Sequence, residues 1–153
     1  GQDTQHYRPR LFPASYHPPG CLFLDSRCEA RFASPNSIVY GHHMKDDSMF
    51  AALDGYKEQE FYEAHPSLLL LTPGGDYEAQ VFSAYVAPTD AAAWRLDFEG
   101  EGAYAAWLAE VCAASCIETG LVPGQAERVL TLSTCSYEFS DARLVVHCVL
   151  REL

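Results

Sequence analysis

The chain has 153 residues, 48% hydrophobic and 20% charged, and a net charge of −11 from 21 acidic and 10 basic side chains. That length suits one domain with a proper core, and the hydrophobic share argues against disorder. The acidic balance leaves no basic stripe to follow phosphates, which argues against nucleic-acid binding. No apolar run reaches the roughly eighteen residues of a membrane span.

Residues 1–20 carry Pro9, Pro13, Pro18, Pro19 and Gly20, and read as a loop or extended arm. A short strand follows over 21–24, and residues 26–34 suit one or two helical turns. The β-branched and aromatic run 37–40 predicts a strand that Gly41 ends. Asp46-Asp47-Ser48 reads as a helix N-cap, with Met49, Phe50 and Leu53 on one face. Residues 57–64 suit a second short helix. Runs 68–71 and 77–86 flank Pro73-Gly74-Gly75-Asp76, a strong hairpin turn signal. The best helix spans 100–118, where Tyr104, Trp107, Leu108, Val111 and Cys112 recur at three- and four-residue spacing. Two strands close the chain at 128–134 and 143–151. The sum is one mainly β domain over 1–153, with short helices and one longer helix before the last two strands.

The chain has six cysteines at irregular spacing, which argues against a disulfide framework, and no paired Cys-x-x-Cys motifs suggest zinc. Cys112, Cys116 and Cys148 read as small core residues.

Three strand tips carry the chemistry. Thr131-Leu132-Ser133-Thr134-Cys135 ends one run in a thiol, and Arg143 opens the next. Ile38-Val39-Tyr40-Gly41-His42-His43 ends a third run in imidazoles. The short link from Cys135 to Arg143 makes the last two strands antiparallel neighbours. Alternation then sets residues 131, 133 and 135 on one face with 143, 145 and 147, and the leucines on the other. Cys135 and Arg143 thus project to one side at one end. A thiol beside an imidazole and a guanidinium is a kit for attack on a carbonyl: nucleophile, proton carrier and oxyanion holder. By type alone the signal is weak, because cysteine is more often core and Arg143 could simply pair with Glu138 or Asp141.

The strings around these residues are more specific. The segment from Asn36 through Gly41-His42-His43-Met44-Lys45-Asp46-Asp47-Ser48-Met49 to Phe50 resembles the catalytic-histidine segment of class B sortases. Thr131 to Cys135, followed by Asp141-Ala142-Arg143-Leu144-Val145-Val146-His147, resembles their cysteine and arginine segment. Gly20-Cys21-Leu22-Phe23-Leu24-Asp25 is similar to a strand of the same family. The resemblance implies a closed eight-stranded β-barrel whose variable connection, here 87–127, carries a helix walling the substrate groove. It assigns catalytic roles to His42, Cys135 and Arg143, and none to His43. It sets Ser133 and Thr134, with Tyr104 of the helix, along the groove. The implied activity is transpeptidation: the cysteine cleaves a Leu-Pro-x-Thr-Gly- or Asn-Pro-x-Thr-Asn-like sorting signal after threonine, and an amine resolves the thioacyl enzyme. No metal or organic cofactor is implied. The implied partners are sorting-signal-bearing surface proteins and a cell-wall precursor or pilin amine. The implied location is the extracellular face of a Gram-positive cell membrane, with the anchor outside this chain. Against the family pattern the domain is expected to be shortened at its N-terminus and so to expose strand edges.

Two enzyme rivals fit less well. An L,D-transpeptidase places His-Gly before its cysteine and arginine two residues after. Papain-like peptidases place cysteine before histidine. A pilin-polymerising member and a barrel that only binds wall or peptide are the remaining alternatives.

Overall fold

The computed structural model describes residues 10–11, 15–16, 21–46, 48–100, 102–136 and 138–153. Most of the expected N-terminal arm, together with Asp47, Glu101 and Tyr137, lies outside the described residues. In the arm, β1 (Arg10–Leu11) and β2 (Ser15–Tyr16) form a small antiparallel ladder.

The main sheet contains β3 (Phe23–Leu24), β4 (Asn36–Tyr40), β5 (Ser67–Thr72), β6 (Gly75–Ala87), β7 (Val129–Cys135) and β8 (Arg143–Glu152). Their spatial order is β3-β4-β7-β8-β6-β5. The mainly β expectation holds. Among the described residues no ladder joins the outer strands β3 and β5, so the expected closed barrel is seen here as a six-stranded mixed sheet. The hairpin signal was sound: Thr72 pairs with Gly75, and the Thr72 hydroxyl accepts from Gly74 N and donates to Gly75 O.

Alternation divides the sheet into two faces. On the inner face Leu130, Leu132, Leu144, Val146, Cys148 and Leu150 join Val39, Ala79, Val81 and Ala84 in the main core. A 3-10 turn over Ala51–Lys57 and the helix α1 (Gln59–Ala64) cover that core with Phe50, Leu53, Tyr56 and Phe61. Each such large apolar side chain contributes about 1.5–3 kcal/mol through burial. The outer face is covered by α2 (Ala103–Ala113), which packs Trp107, Leu108 and Val111 on Phe82, Val129 and Val149. A register shift between Val81 and Ser83 turns Phe82 toward this helix. A short turn, Ala92–Trp94, covers the outer face near Val145 and Ala87.

Three expectations need correction. The helix predicted over 100–118 is shorter, because the chain leaves it at Ala114 and Cys116 N–H bonds back to Ala84 O at 2.8 Å. Cys116 is therefore exposed rather than core, whereas Cys148 is fully buried. The expected N-cap around 46–48 does not cap a helix. Asp46 instead accepts from the Ser48 backbone and hydroxyl, and the 3-10 turn begins after Phe50. The reason is local: Asx turns compete with helix capping for the same carboxylate. No helix among the described residues is long and apolar enough to cross a membrane.

Candidate active site

The site sits where three adjacent strands end together. Strand β4 runs parallel to β7, with Tyr40 level with Ser133, and Gly41 N–H extends that ladder to Ser133 O at 3.2 Å. His42 lies two residues beyond Tyr40, and Cys135 lies two beyond Ser133. Strand β8 flanks β7 on the other side, and Cys135 is the direct register partner of Arg143. The β7–β8 ladder carries no bulge, so the facing inferred from alternation is preserved. His42, Cys135 and Arg143 are each half-buried, open enough for a substrate and shielded enough for strong electrostatics.

Packing fixes the histidine segment. A Cβ at Gly41 would lie 2.6 Å from both Leu22 Cδ2 and Phe50 Cδ2, so only glycine fits there. Phe50 N–H donates to His42 O at 3.0 Å, folding the 42–50 loop back on itself. His43 and Lys57 approach Asp54 at 3.5 and 2.8 Å. Lys57 also pairs with Glu138 and reaches Ser136 Oγ at 3.3 Å, which ties the loop after Cys135 to the turn under the histidines. Lys57 and the Ser136 hydroxyl hold the Glu138 carboxyl down at about 2. Burial opposes the charge on Lys57, but its bonds to Asp54 and Glu138 prevail and raise its pKa.

Polar groups on the outer face form a continuous network below the tips. Asn36 Nδ2 donates to Arg95 O at 2.9 Å and Ala93 O at 3.4 Å, anchoring the turn that carries Trp94. Thr131 donates to Asn36 Oδ1 at 2.7 Å, so its hydroxyl proton is committed. His147 Nδ1, 2.9 Å from Thr131 Oγ1, must therefore be the donor of that pair. Its Nε2 then accepts from Tyr85 OH at 3.2 Å. Full burial pushes the His147 pKa down to about 3, so the ring stays neutral and structural. Trp94 Nε1–H donates to Ser133 Oγ at 3.2 Å. Above this network lies a cleft of about 320 Å³ lined by Arg27, Tyr40, Thr89, Trp94, Ser133 and Arg143.

A sortase domain model matches residues 14–151. The chain belongs to the sortase family. Its relatives are class B: it is 35% identical over 95% of its length to sortase B of Staphylococcus aureus, and 30% identical to sortase B of Listeria monocytogenes. It spans 61% and 60% of those two proteins. Its structure superposes on a Staphylococcus aureus sortase B–substrate complex with a TM-score of 0.92 at 34% identity, covering 100% of this chain and 72% of that one. For Clostridium perfringens sortase B the TM-score is 0.89 at 28% identity, with 99% and 84% covered.

In this sortase domain the residues singled out from sequence fall into two groups. His42, Cys135 and Arg143 come to one end of the sheet, and Ser133 lines the cleft beside them. Thr134 is the register partner of Leu144 and faces the core, with its hydroxyl buried and unpartnered among the described residues. Tyr104 is a strut: its hydroxyl donates to Glu127 O at 2.7 Å and contacts Pro35 O at 3.1 Å, and its ring stacks on Trp107. Pro35 and Glu127 precede β4 and β7, whereas Cys135 ends β7 about 20 Å farther on at a strand's rise. The structure thus brings neither Thr134 nor Tyr104 to the cleft. Sequence reasoning missed Arg27, Tyr40, Thr89 and Trp94 as cleft residues. Asp25-x-Arg27 overlaps the end of the matched Gly20 to Asp25 segment, Tyr40 lies inside the matched histidine segment, and Trp94 follows three alanines in the connection after β6. Those were the only signals available.

Proposed function

We propose that this chain is the catalytic domain of a cysteine transpeptidase acting on C-terminal sorting signals of the Leu-Pro-x-Thr-Gly or Asn-Pro-x-Thr-Asn kind. One observation carries the reading: the unbroken β4–β7–β8 register, which pairs Tyr40 with Ser133, two residues short of His42 and Cys135, and pairs Cys135 with Arg143. The Cys135 thiolate attacks the threonine carbonyl carbon, and the C–S bond forms as the carbonyl π electrons move to oxygen. Arg143, whose Nη1 is braced on Ala142 O at 3.0 Å, donates to that oxyanion. A well-aimed donor of this kind supplies roughly 3 kcal/mol. As the oxyanion collapses the C–N bond breaks, and the His42 imidazolium protonates the departing amine. A thioester on Cys135 remains.

Neutral His42 next takes a proton from an incoming primary amine of a cell-wall precursor. That amine attacks the thioester and restores the thiolate. The setting is the outer face of a Gram-positive cell membrane, where such wall amines are met. The cleft of about 320 Å³ beside Arg143 falls within the usual range of ligand pockets, which supports a bound ligand segment there.

The test is mass spectrometry of the two peptide types incubated with the chain, with and without an amine acceptor. The expected products end in threonine without acceptor and carry the acceptor amine in its presence, and Cys135→Ala forms neither. Cleavage that survives in Cys135→Ala contradicts the assignment.

A further inference from the structure

Arg27 stands on the wall of the cleft that holds Arg143. Its guanidinium is fixed fork to fork on Asp25, Nε to Oδ1 at 3.0 Å and Nη2 to Oδ2 at 2.9 Å, and its backbone N–H adds a bond to Oδ1 at 2.9 Å. Tyr40, another wall residue, donates its hydroxyl to Asp25 Oδ2 at 3.0 Å. Asp25 is 4% exposed, while the Arg27 side chain is 63% exposed. Burial opposes ionisation of Asp25, but the bonds from Arg27 and Tyr40 outweigh it and keep the carboxyl below its usual range. A buried carboxylate is costly unless paired, and here the pairing immobilises two cleft-wall side chains.

A guanidinium carries five N–H groups, and the fork on Asp25 engages two. The other three have no partner among the described residues and belong to a group bordering the cleft. Because Asp25 already offsets the positive charge, those donors suit a neutral oxygen acceptor. Being held in place, they also lose little entropy when a ligand arrives.

We propose that Arg27 is a substrate anchor: the open edge of its guanidinium donates to an oxygen of the bound peptide, a main-chain carbonyl or a side-chain carboxamide, away from the carbonyl that reacts. The proposal rests on the transpeptidase reading above. Contact remote from the reacting centre binds ground state and transition state alike, so its loss raises KM and spares kcat.

The experiment measures kcat and KM for wild type, Arg27→Met and Arg27→Lys with Asn-Pro-Gln-Thr-Asn and with peptides in which leucine replaces the first Asn or the Gln. Thermal unfolding is followed in parallel. Lysine keeps a cation for Asp25 but lacks the open edge, so it restores stability without restoring KM. The expected result is a KM about tenfold higher in both variants with kcat unchanged. A rise confined to peptides carrying one carboxamide assigns that side chain, and an equal rise for all assigns a main-chain carbonyl. Unchanged KM, KM restored by Arg27→Lys, or a loss confined to kcat each overturns the anchor. Absence of cleavage by wild type, together with absence of acylation at Cys135, is a different failure: it removes the transpeptidase reading itself and the anchor with it.

Discussion

Cys148 and Cys135 lie on the neighbouring strands β8 and β7, yet they belong to opposite faces of one sheet. Cys148 points into the main core, is fully buried, and has its thiol pKa raised by that burial. Cys135 ends its strand half-buried on the outer face, opposite Arg143. The inner face of β7 and β8 is almost wholly apolar, Thr134 being the exception. The outer face buries Asn36, Ser83, Thr131, Ser133 and His147, and each of these is hydrogen-bonded. An apolar face tolerates small shifts in packing, whereas a directional polar network holds its members in one arrangement. The outer network thus braces the strands that end at Cys135 and Arg143, and the inner face supplies most of the apolar burial.

Substitutions that separate chemistry from stability sharpen this contrast. Cys135→Ala should abolish transpeptidation, by at least about a thousandfold, and leave thermal unfolding unchanged. Cys148→Ala should keep turnover and lose about 1 kcal/mol of stability. Reversal of that pattern in paired kinetic and unfolding measurements would erase the distinction between faces. Arg143→Lys should fold normally but lose about a hundredfold in kcat, since an ammonium cannot reproduce the planar fork. Near-native turnover by that variant counts against the oxyanion role. Leu144→Ala, on the inner face beside Arg143 in sequence, should cost about 3 kcal/mol in denaturant unfolding with an intact kcat in the folded fraction.

A last effect is in acid. The His147 pKa is pushed down to about 3 in the folded chain, while an unfolded histidine titrates near about 6.5. Between those values the unfolded state binds the extra proton, so stability is full above about pH 6.5 and falls as pH drops toward 3. The loss is about 2 kcal/mol at pH 5. Glu138, held down at about 2, adds a further decline below about pH 4.5, discounted because its side chain is 42% exposed. His147→Gln should flatten the limb between pH 6.5 and 5. An unchanged slope there would assign the acid loss to other groups.

Much of the fold was legible because alternation and turn chemistry are local. The leucines of β7 and β8 set the register face, and Pro73-Gly74 set the hairpin. The matched strings singled out His42, Cys135 and Arg143, and the strand register brings those three positions to one end of the sheet. Thr134 was misplaced because adjacency to a nucleophile in sequence says nothing about facing, and alternation would have put it in the core. Tyr104 was misplaced because helical spacing shows which residues share a face, not where along the sheet the helix lies. The Asp25–Arg27–Tyr40 cluster joins β4 to the segment after β3 through tertiary contact, and no spacing in the chain announces it.

The most direct test of convergence on one carbonyl is peptide mapping of the chain after exposure to Asn-Pro-Gln-Thr-Asn and Leu-Pro-Gln-Thr-Gly peptides without an amine. The account predicts an acyl adduct, truncated after threonine, on the sulfur of Cys135 and on no other cysteine. Cleavage that proceeds with no adduct there, or with the adduct on another cysteine, would contradict it.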